Sequence, residues 1–358
     1  MPVRSAIAGV AVAVVGVVAV LTFASSLDRL VASPEAWGWT WDAIVYGDNP
    51  DGEGPCGPID SAIAGDRRVA AVASVCGFNV ELDGRTTAAL GFASAPGHFE
   101  RASVVEGREP RSRDEVAVGT ATLEGLGKQI GDTVRAHGRD GPVPYRIVGT
   151  VALPVTGPPQ PLADGAVFSG AGLRRLPAGD QVNQFFVATF APGIDSVAGA
   201  RSLERQYGVS VEHARLPVEI DRLRQVDGLP AILGVFLGFL TVVAVAHALV
   251  TGVRRRRREL AILKTLGFRE RQVRGTVGSQ ATTLAAAGVL VGVPIGIVVG
   301  RAAWKLVADD LGVASVVRVP GVAIVMVVLG TVLLANVVAV FPARRAARLR
   351  PAVVLRSE

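Results

Sequence analysis

Four long apolar stretches interrupt an otherwise mixed chain. Residues 5–27, 229–253, 275–300 and 319–343 each lack Asp, Glu, Lys and Arg. Each has the roughly 20 residues that a helix needs to cross the hydrocarbon core of a bilayer. The segment between the first and second, 28–228, has a different rhythm. Short apolar or β-branched runs predict strands over 70–76, 79–82, 86–92, 115–118, 133–137, 145–152, 185–190 and 209–212. Gly77 and Gly131-Asp132 read as turns, and Asp83-Gly84 as a tight hairpin. Pro142 and Pro144 mark the approach to the strand at 145, and the Pro-rich stretch 154–161 reads as a loop. Helical spacing appears over 120–126, 194–207 and 216–226. The pattern predicts a membrane protein with four transmembrane helices, arranged one plus three, and a large mixed α/β extracytoplasmic domain between the first and second.

Charge orients this arrangement. The loop 254–274 carries nine basic residues against the acidic Glu259 and Glu270. Arg254, Arg255, Arg256, Arg257 and Arg258 open it as an unbroken basic cluster. Short loops dense in Arg and Lys stay in the cytoplasm. Arg4 and the tail 344–358 agree, so both termini are expected there, with 28–228 and a short loop at 301–318 outside. The net charge of +6 therefore does not point to nucleic acid. The outer segment holds 19 basic residues against 26 acidic ones, and the excess of Arg lies beside the membrane, where it meets anionic lipid.

Within the spans, glycines are the informative residues. Gly288, Gly292, Gly296 and Gly300 recur every four positions and share one helix face. Small residues there admit a second helix at close range, from this chain or from a partner. Gly234 and Gly238 repeat the spacing in the second span, and Pro294 can kink the third. His247 is the one ionisable side chain inside a span and lies close to the basic collar. Trp37, Trp39 and Trp41 alternate just beyond the first span; an interfacial belt and a strand with one aromatic face both account for them.

Candidate chemistry is sparse. Cys56 and Cys76 both fall in the outer segment, where a disulfide can persist; closing that loop is worth roughly 3 kcal/mol on chain-entropy reasoning. The stretch 119–129 approaches a phosphate-binding loop, but Thr122 and Gln129 stand where glycine and Ser or Thr are required. No other spacing suggests a nucleophile, a metal site or a cofactor site, so this chain is expected not to be an enzyme.

The loop has content beyond its charge. Leu260, Ile262, Leu263 and Leu266 are apolar between Glu259 and Lys264, and Gly267 is placed to cap a short helix. The run RRRRRELAILKTLGFRERQV resembles the signature between the second and third spans of the FtsX-like, MacB-type permease family of ABC transporters. The ending FPARRAARLRPA and the outer segment EGREPRSRDEVAVGTATLEGLGKQIGDTVRAH resemble other parts of the same family. The resemblance implies a permease subunit in the cytoplasmic membrane whose loop is a coupling helix docking on a separate ABC ATPase dimer. That partner would hold ATP and Mg. It assigns coupling to Glu259, Leu260, Leu263, Lys264, Leu266 and Gly267. It also implies a second permease half or an identical copy, since the opening of the chain looks like the start of the second half of a long two-half permease. Contact with an envelope protein is a further implied partnership. A lipid-like, lipoprotein or peptide cargo fits this reading. The alternative is a non-transporting membrane regulator or scaffold that activates an envelope enzyme.

Overall fold

The computed structural model describes residues 2–46, 61–94, 102–155, 161–178, 182–225, 228–255 and 270–347. They form two compact units. One comprises Met1–Asp28, Arg224–Lys305 and Val317–Glu358; the other comprises Arg29–Leu223 and Leu306–Val316.

The first unit is helical. Helix α1 (Pro2–Val31) grows from the uninterrupted Ala- and Val-rich run. Near its far end Thr22 and Ser26 donate their hydroxyls to the carbonyls four residues back, Val18 and Thr22, at 2.8 Å each. Such back-bonding satisfies a hydroxyl inside an apolar span. Three later helices, numbered here ahead of their turn in the chain, complete the unit: α7 (Gly228–Arg255), α8 (Glu270–Leu311, with Pro294 inside it) and α9 (Gly321–Ala347). Val10, Val14 and Val18 of α1, Leu284 and Val289 of α8, and Ile324 and Ala335 of α9 share one buried apolar cluster.

Three helices among the described residues are long and apolar enough to span a membrane: Ile7–Val31, Gly278–Leu311 and Gly321–Val340. The expectation was four. Helix α7 covers the second apolar run over 28 residues but is not one of the three; several of its side chains, His247 among them, lie outside the described set. The expected outer loop at 301–318 is also corrected. Helix α8 continues past Arg301, Lys305, Asp309 and Asp310 to Leu311, because charge ends a membrane span without ending a helix.

The second unit is a mixed sheet with short helices. After α1, a 3-10 turn (Pro34–Trp37) ends at Gly38 with φ of 101°. The elements then run β1 (Ala43–Tyr46), α2 (Ser61–Ala64), β2 (Val69–Leu82), β3 (Arg85–Ser94), β4 (Ser103–Gly107), β5 (Glu115–Val118), α3 (Thr120–Leu126), β6 (Thr133–Gly138), β7 (Gly141–Ala152), β8 (Ala166–Ser169), α4 (Gly170–Leu173), β9 (Asn183–Phe190), α5 (Ser196–Tyr207), β10 (Ser210–Glu212) and α6 (Val218–Gln225). The sheet order is β10-β1-β9-β2-β3-β8-β5-β7-β4, with β6 paired to β2 and β7. β3 with β8 and β5 with β7 are parallel; the remaining pairs are antiparallel.

Several local expectations change. Asp83 (φ 45°) and Gly84 (φ 86°) make the hairpin between β2 and β3, since both central residues of such a turn need positive φ. Gly77 is not a turn. It lies inside the 14-residue β2, and a Cβ on it would stand 2.9 Å from the Leu90 side chain. β7 begins at Gly141 and so includes Pro142 and Pro144. Those positions pair with β6 alone, which leaves a free edge for nitrogens that cannot donate. The Trp-rich stretch is neither belt nor strand. Trp37, Trp39 and Trp41 are buried in the second unit, with neighbouring ring centroids 6.4 and 5.6 Å apart and Phe92 next in the row at 6.1 Å. Part of the 154–161 loop lies outside the described residues.

Candidate functional site

The candidate site is the membrane pair α1–α8 with the polar contacts that fasten it. A Cβ on Gly288 would meet Val10, one on Gly292 would meet Val14, one on Gly296 would meet Val18 and one on Gly300 would meet Thr22. The contacts advance four residues along both helices together, so α1 and α8 run parallel and in register over more than three turns. The approach reaches the backbone. Cβ atoms on Gly292, Gly296 and Gly300 would fall 2.9, 2.9 and 2.7 Å from the carbonyl oxygens of Ala11, Val15 and Ala19. Only hydrogen fits there, and Cα–H···O contacts of this kind recur where helices pack tightly.

Side chains add ties near both ends of the contact, from α1 to α8 and to the Arg318 backbone at one end and from α8 to α9 at the other. Toward the end of α1, Ser25 donates its hydroxyl to the Arg318 carbonyl at 2.5 Å, and Ser26 Oγ accepts the Arg318 amide hydrogen at 3.1 Å. Phe23 packs edge-on against the buried Trp304 ring at 5.6 Å. Toward the start of α8, Thr282 and the Asn336 side chain of α9 exchange hydrogen bonds at 3.0 and 3.2 Å, and Asn336 also donates to the Val332 carbonyl.

Polar contacts of another kind organise the outer unit. Thr122 donates to Asp164 at 2.5 Å and accepts from the Gly165 amide at 2.8 Å. Thr122, one of the two residues that spoil the phosphate-loop pattern, is thus a structural tie. Arg108 meets Glu115 through both terminal guanidinium nitrogens, at 2.8 and 2.5 Å, and the amides of Arg111 and Ser112 also donate to Glu115. The Arg108 hydrogen bond, aided by those amides, lowers the Glu115 carboxyl from 4.5 to about 2. Asp66, bonded by Arg68 and Tyr207, is also held well below the usual carboxylate range. Among the described residues no group of three or more His, Cys, Asp and Glu is arranged to hold a metal.

Two family models match this chain. The MacB-like periplasmic core domain matches residues 5–206, and the FtsX-like permease C-terminal model matches residues 231–351. The chain belongs to the FtsX-like, MacB-type permease family. As such it is a permease subunit of the ABC-transporter type and a multi-pass membrane protein. Similar solved structures include the periplasmic region of MacB from Actinobacillus actinomycetemcomitans, at 10% identity and a TM-score of 0.34, covering 55% of this chain and 97% of that one. Another is a domain described as part of a permease protein from Porphyromonas gingivalis, at 14% identity and a TM-score of 0.32, covering 54% and 98%. No curated protein matches.

The coupling residues expected in this permease, Glu259, Leu260, Leu263, Lys264, Leu266 and Gly267, lie outside the described residues, as do Arg256, Arg257 and Arg258. Arg254 and Arg255 form the last turn of α7. Cys76 is buried and disulfide-bonded; Cys56 lies outside the described residues. The glycine stripe is gathered into one contact, and its partner is α1 of the same chain. The Ser25–Ser26 contact with Arg318 and the Thr282–Asn336 pair were not anticipated. Asn336 carried a signal, as the one amide side chain in the last apolar run. The Arg318 contact carried none, because it uses that residue's backbone.

Proposed function

We propose that this permease couples ATP hydrolysis by a separate cytoplasmic ATPase dimer to its outer domain, and so drives export or extraction of a lipid-like, lipoprotein or peptide cargo. It would do so with four spans in the cytoplasmic membrane, both termini inside, and 254–274 as the coupling loop. A second permease half or an identical copy completes the complex. The observation that supports this reading is the parallel α1–α8 contact. Helix α8 begins within the end of the loop, at Glu270, and α1 leads directly into the outer domain. Helices whose backbones touch across four glycines cannot slide or rotate past one another without driving side chains into carbonyls. A push received at the start of α8 is then delivered along α1. Parallel packing is also what the one-plus-three topology requires, since the first and third spans cross in the same direction.

The test is extraction of the intact complex in mild detergent. An ATP-hydrolysing subunit should copurify with the wild-type chain. In Glu259→Lys and Ala261→Trp that subunit should either be lost or hydrolyse ATP at a rate indifferent to the permease. No ATP-hydrolysing partner, or normal partner binding and coupling in both variants, overturns the reading.

A further inference from the structure

Helix α8 does not stop where its glycine stripe ends. It continues to Leu311, and Leu306–Val316 belong to the outer unit. Its end is closed by two backbone bonds, from the Gly312 amide to the Asp309 carbonyl at 3.1 Å and from the Val313 amide to the Ala308 carbonyl at 3.0 Å. Gly312 has φ of 68°, the left-handed value that this pair of bonds requires. Ala308 and Val313, the apolar pair that accompanies such an ending, are both buried. The last turn of α8 is therefore a fixed end and not a frayed one.

That turn is seated on the loop before β8. A Cβ on Gly312 would fall 2.6 Å from both the Cα and the Cβ of Ala163 and 2.8 Å from Thr120 Oγ1, so only hydrogen fits. The same loop caps α3. The first amides of a helix have no partner within it, and Gly119 at the N-cap offers no side chain. The Ala163 carbonyl serves instead, accepting from the Ala121 amide at 3.0 Å and the Thr122 amide at 3.4 Å. The Gly119 amide donates to the Gly165 carbonyl at 2.8 Å. Thr122 closes the arrangement through Asp164 and Gly165, and Thr87 of β3 also donates to Asp164, at 3.3 Å. Ala163 thus meets the end of α8 with its Cα and Cβ and the start of α3 with its carbonyl. A displaced Gly312 strikes backbone, which cannot swing aside as a side chain can.

We propose that this seat is a second place where α8 delivers motion to the outer domain. Loop 162–165 receives the displacement at Gly312 and passes it to α3 and to the start of β8. The inference rests on the reading above for the source of the motion, and it adds a recipient distinct from the α1 route.

The test is hydrogen exchange, read by mass spectrometry, on the full chain in detergent with its copurified ATPase. It is run with and without ATP plus vanadate. In wild type, exchange in 119–126 and 162–169 should change by at least about fivefold, the low end of ordinary coupling between sites. Gly312→Ala is strained at positive φ and pressed against Ala163; it should abolish that change while the ATPase stays bound. Thr122→Val keeps the side-chain shape and leaves α8 untouched, so it should shrink the change in 119–126 and spare that in 162–169.

No change in wild type, or an undiminished change in Gly312→Ala, overturns the seat. Should Gly312→Ala not fold, Thr122→Val decides, and a change in 119–126 equal to wild type overturns the relay. If no ATPase copurifies, the coupling reading fails by itself and the seat is judged on the resting chain. There Gly312→Ala should speed exchange in 119–126, whose first amides depend on the Ala163 carbonyl. Exchange at the wild-type rate overturns the seat.

Discussion

The α1–α8 pair and the outer domain are held together by opposite means. In the membrane unit the contact exists because side chains are missing: hydrogen atoms of Gly292, Gly296 and Gly300 lie where any Cβ would strike a carbonyl of α1. In the outer unit side chains form the ties, as when Thr122 joins Asp164 or Arg108 grips Glu115 from two nitrogens. The first kind of contact has no titratable member and tolerates almost no added volume. The second has ample room at its exposed rim but depends on the protonation state of carboxylates. The two units are thus built to fail under different stresses.

The strongest way to break this contrast is to add volume between the helices. Gly292→Val would place its Cβ 2.8 Å from Val14 Cβ and 2.9 Å from the Ala11 carbonyl oxygen, and a backbone atom cannot swing aside. The expected cost is about 3 kcal/mol, the upper part of the range for overpacking. Thermal unfolding in detergent, followed by helical circular dichroism, reads it directly. An unchanged midpoint would mean the helices separate freely, and the proposed transmission would lose its structural basis.

How much of this was visible in the residues differs between the two units as well. The apolar runs and the hairpin at Asp83-Gly84 are legible because lipid and positive φ each demand a narrow set of side chains. Gly77 is not, because a glycine that makes a turn and a glycine that admits Leu90 look alike in one dimension. β1 and β8 have four residues each, buried throughout or nearly so, too short for alternation to show. For the site, spacing exposes the stripe Gly288–Gly300 but cannot name the helix that fills it.

Acid sharpens the contrast from the other side. The folded-state pKa of Glu115 lies near 2, below its ordinary 4.5, chiefly through the Arg108 hydrogen bond. A depressed carboxyl contributes stability that is fully present above the ordinary value and disappears as pH falls through the folded one. Wild type should therefore lose the contribution of this pair between pH 4.5 and about 2. Glu115→Gln should be less stable than wild type at pH 7, with the difference closing across that window. Denaturation midpoints for both chains at stepped pH provide the check. Gly292→Val should lower the midpoint by a similar amount at every pH, since its clash involves no titratable group. A parallel acid response in Glu115→Gln and wild type would remove the pair from the account.

The smallest expected effect separates glycine as a spacer from glycine as a contact. Gly234 and Gly238 of α7 repeat the four-residue spacing of α8, yet a Cβ on either would meet nothing within 4 Å among the described residues. Gly238→Ala should then behave as an ordinary helix substitution, neutral or stabilising by up to about 1 kcal/mol because alanine has less backbone freedom to lose. In the same detergent and assay Gly296→Ala should destabilise, since even one methyl would stand 2.8 Å from Val18 Cβ and 2.9 Å from the Val15 carbonyl oxygen. The two substitutions are chemically identical and sit in apolar helices of one unit, so helix propensity and hydrophobicity cancel between them. A Gly238→Ala chain as impaired as Gly296→Ala would show that glycine spacing matters wherever it occurs in these spans. Opposite signs would show that what fixes α1 to α8 is the occupied groove, and that the pattern of glycines acquires its meaning only from the helix laid against it.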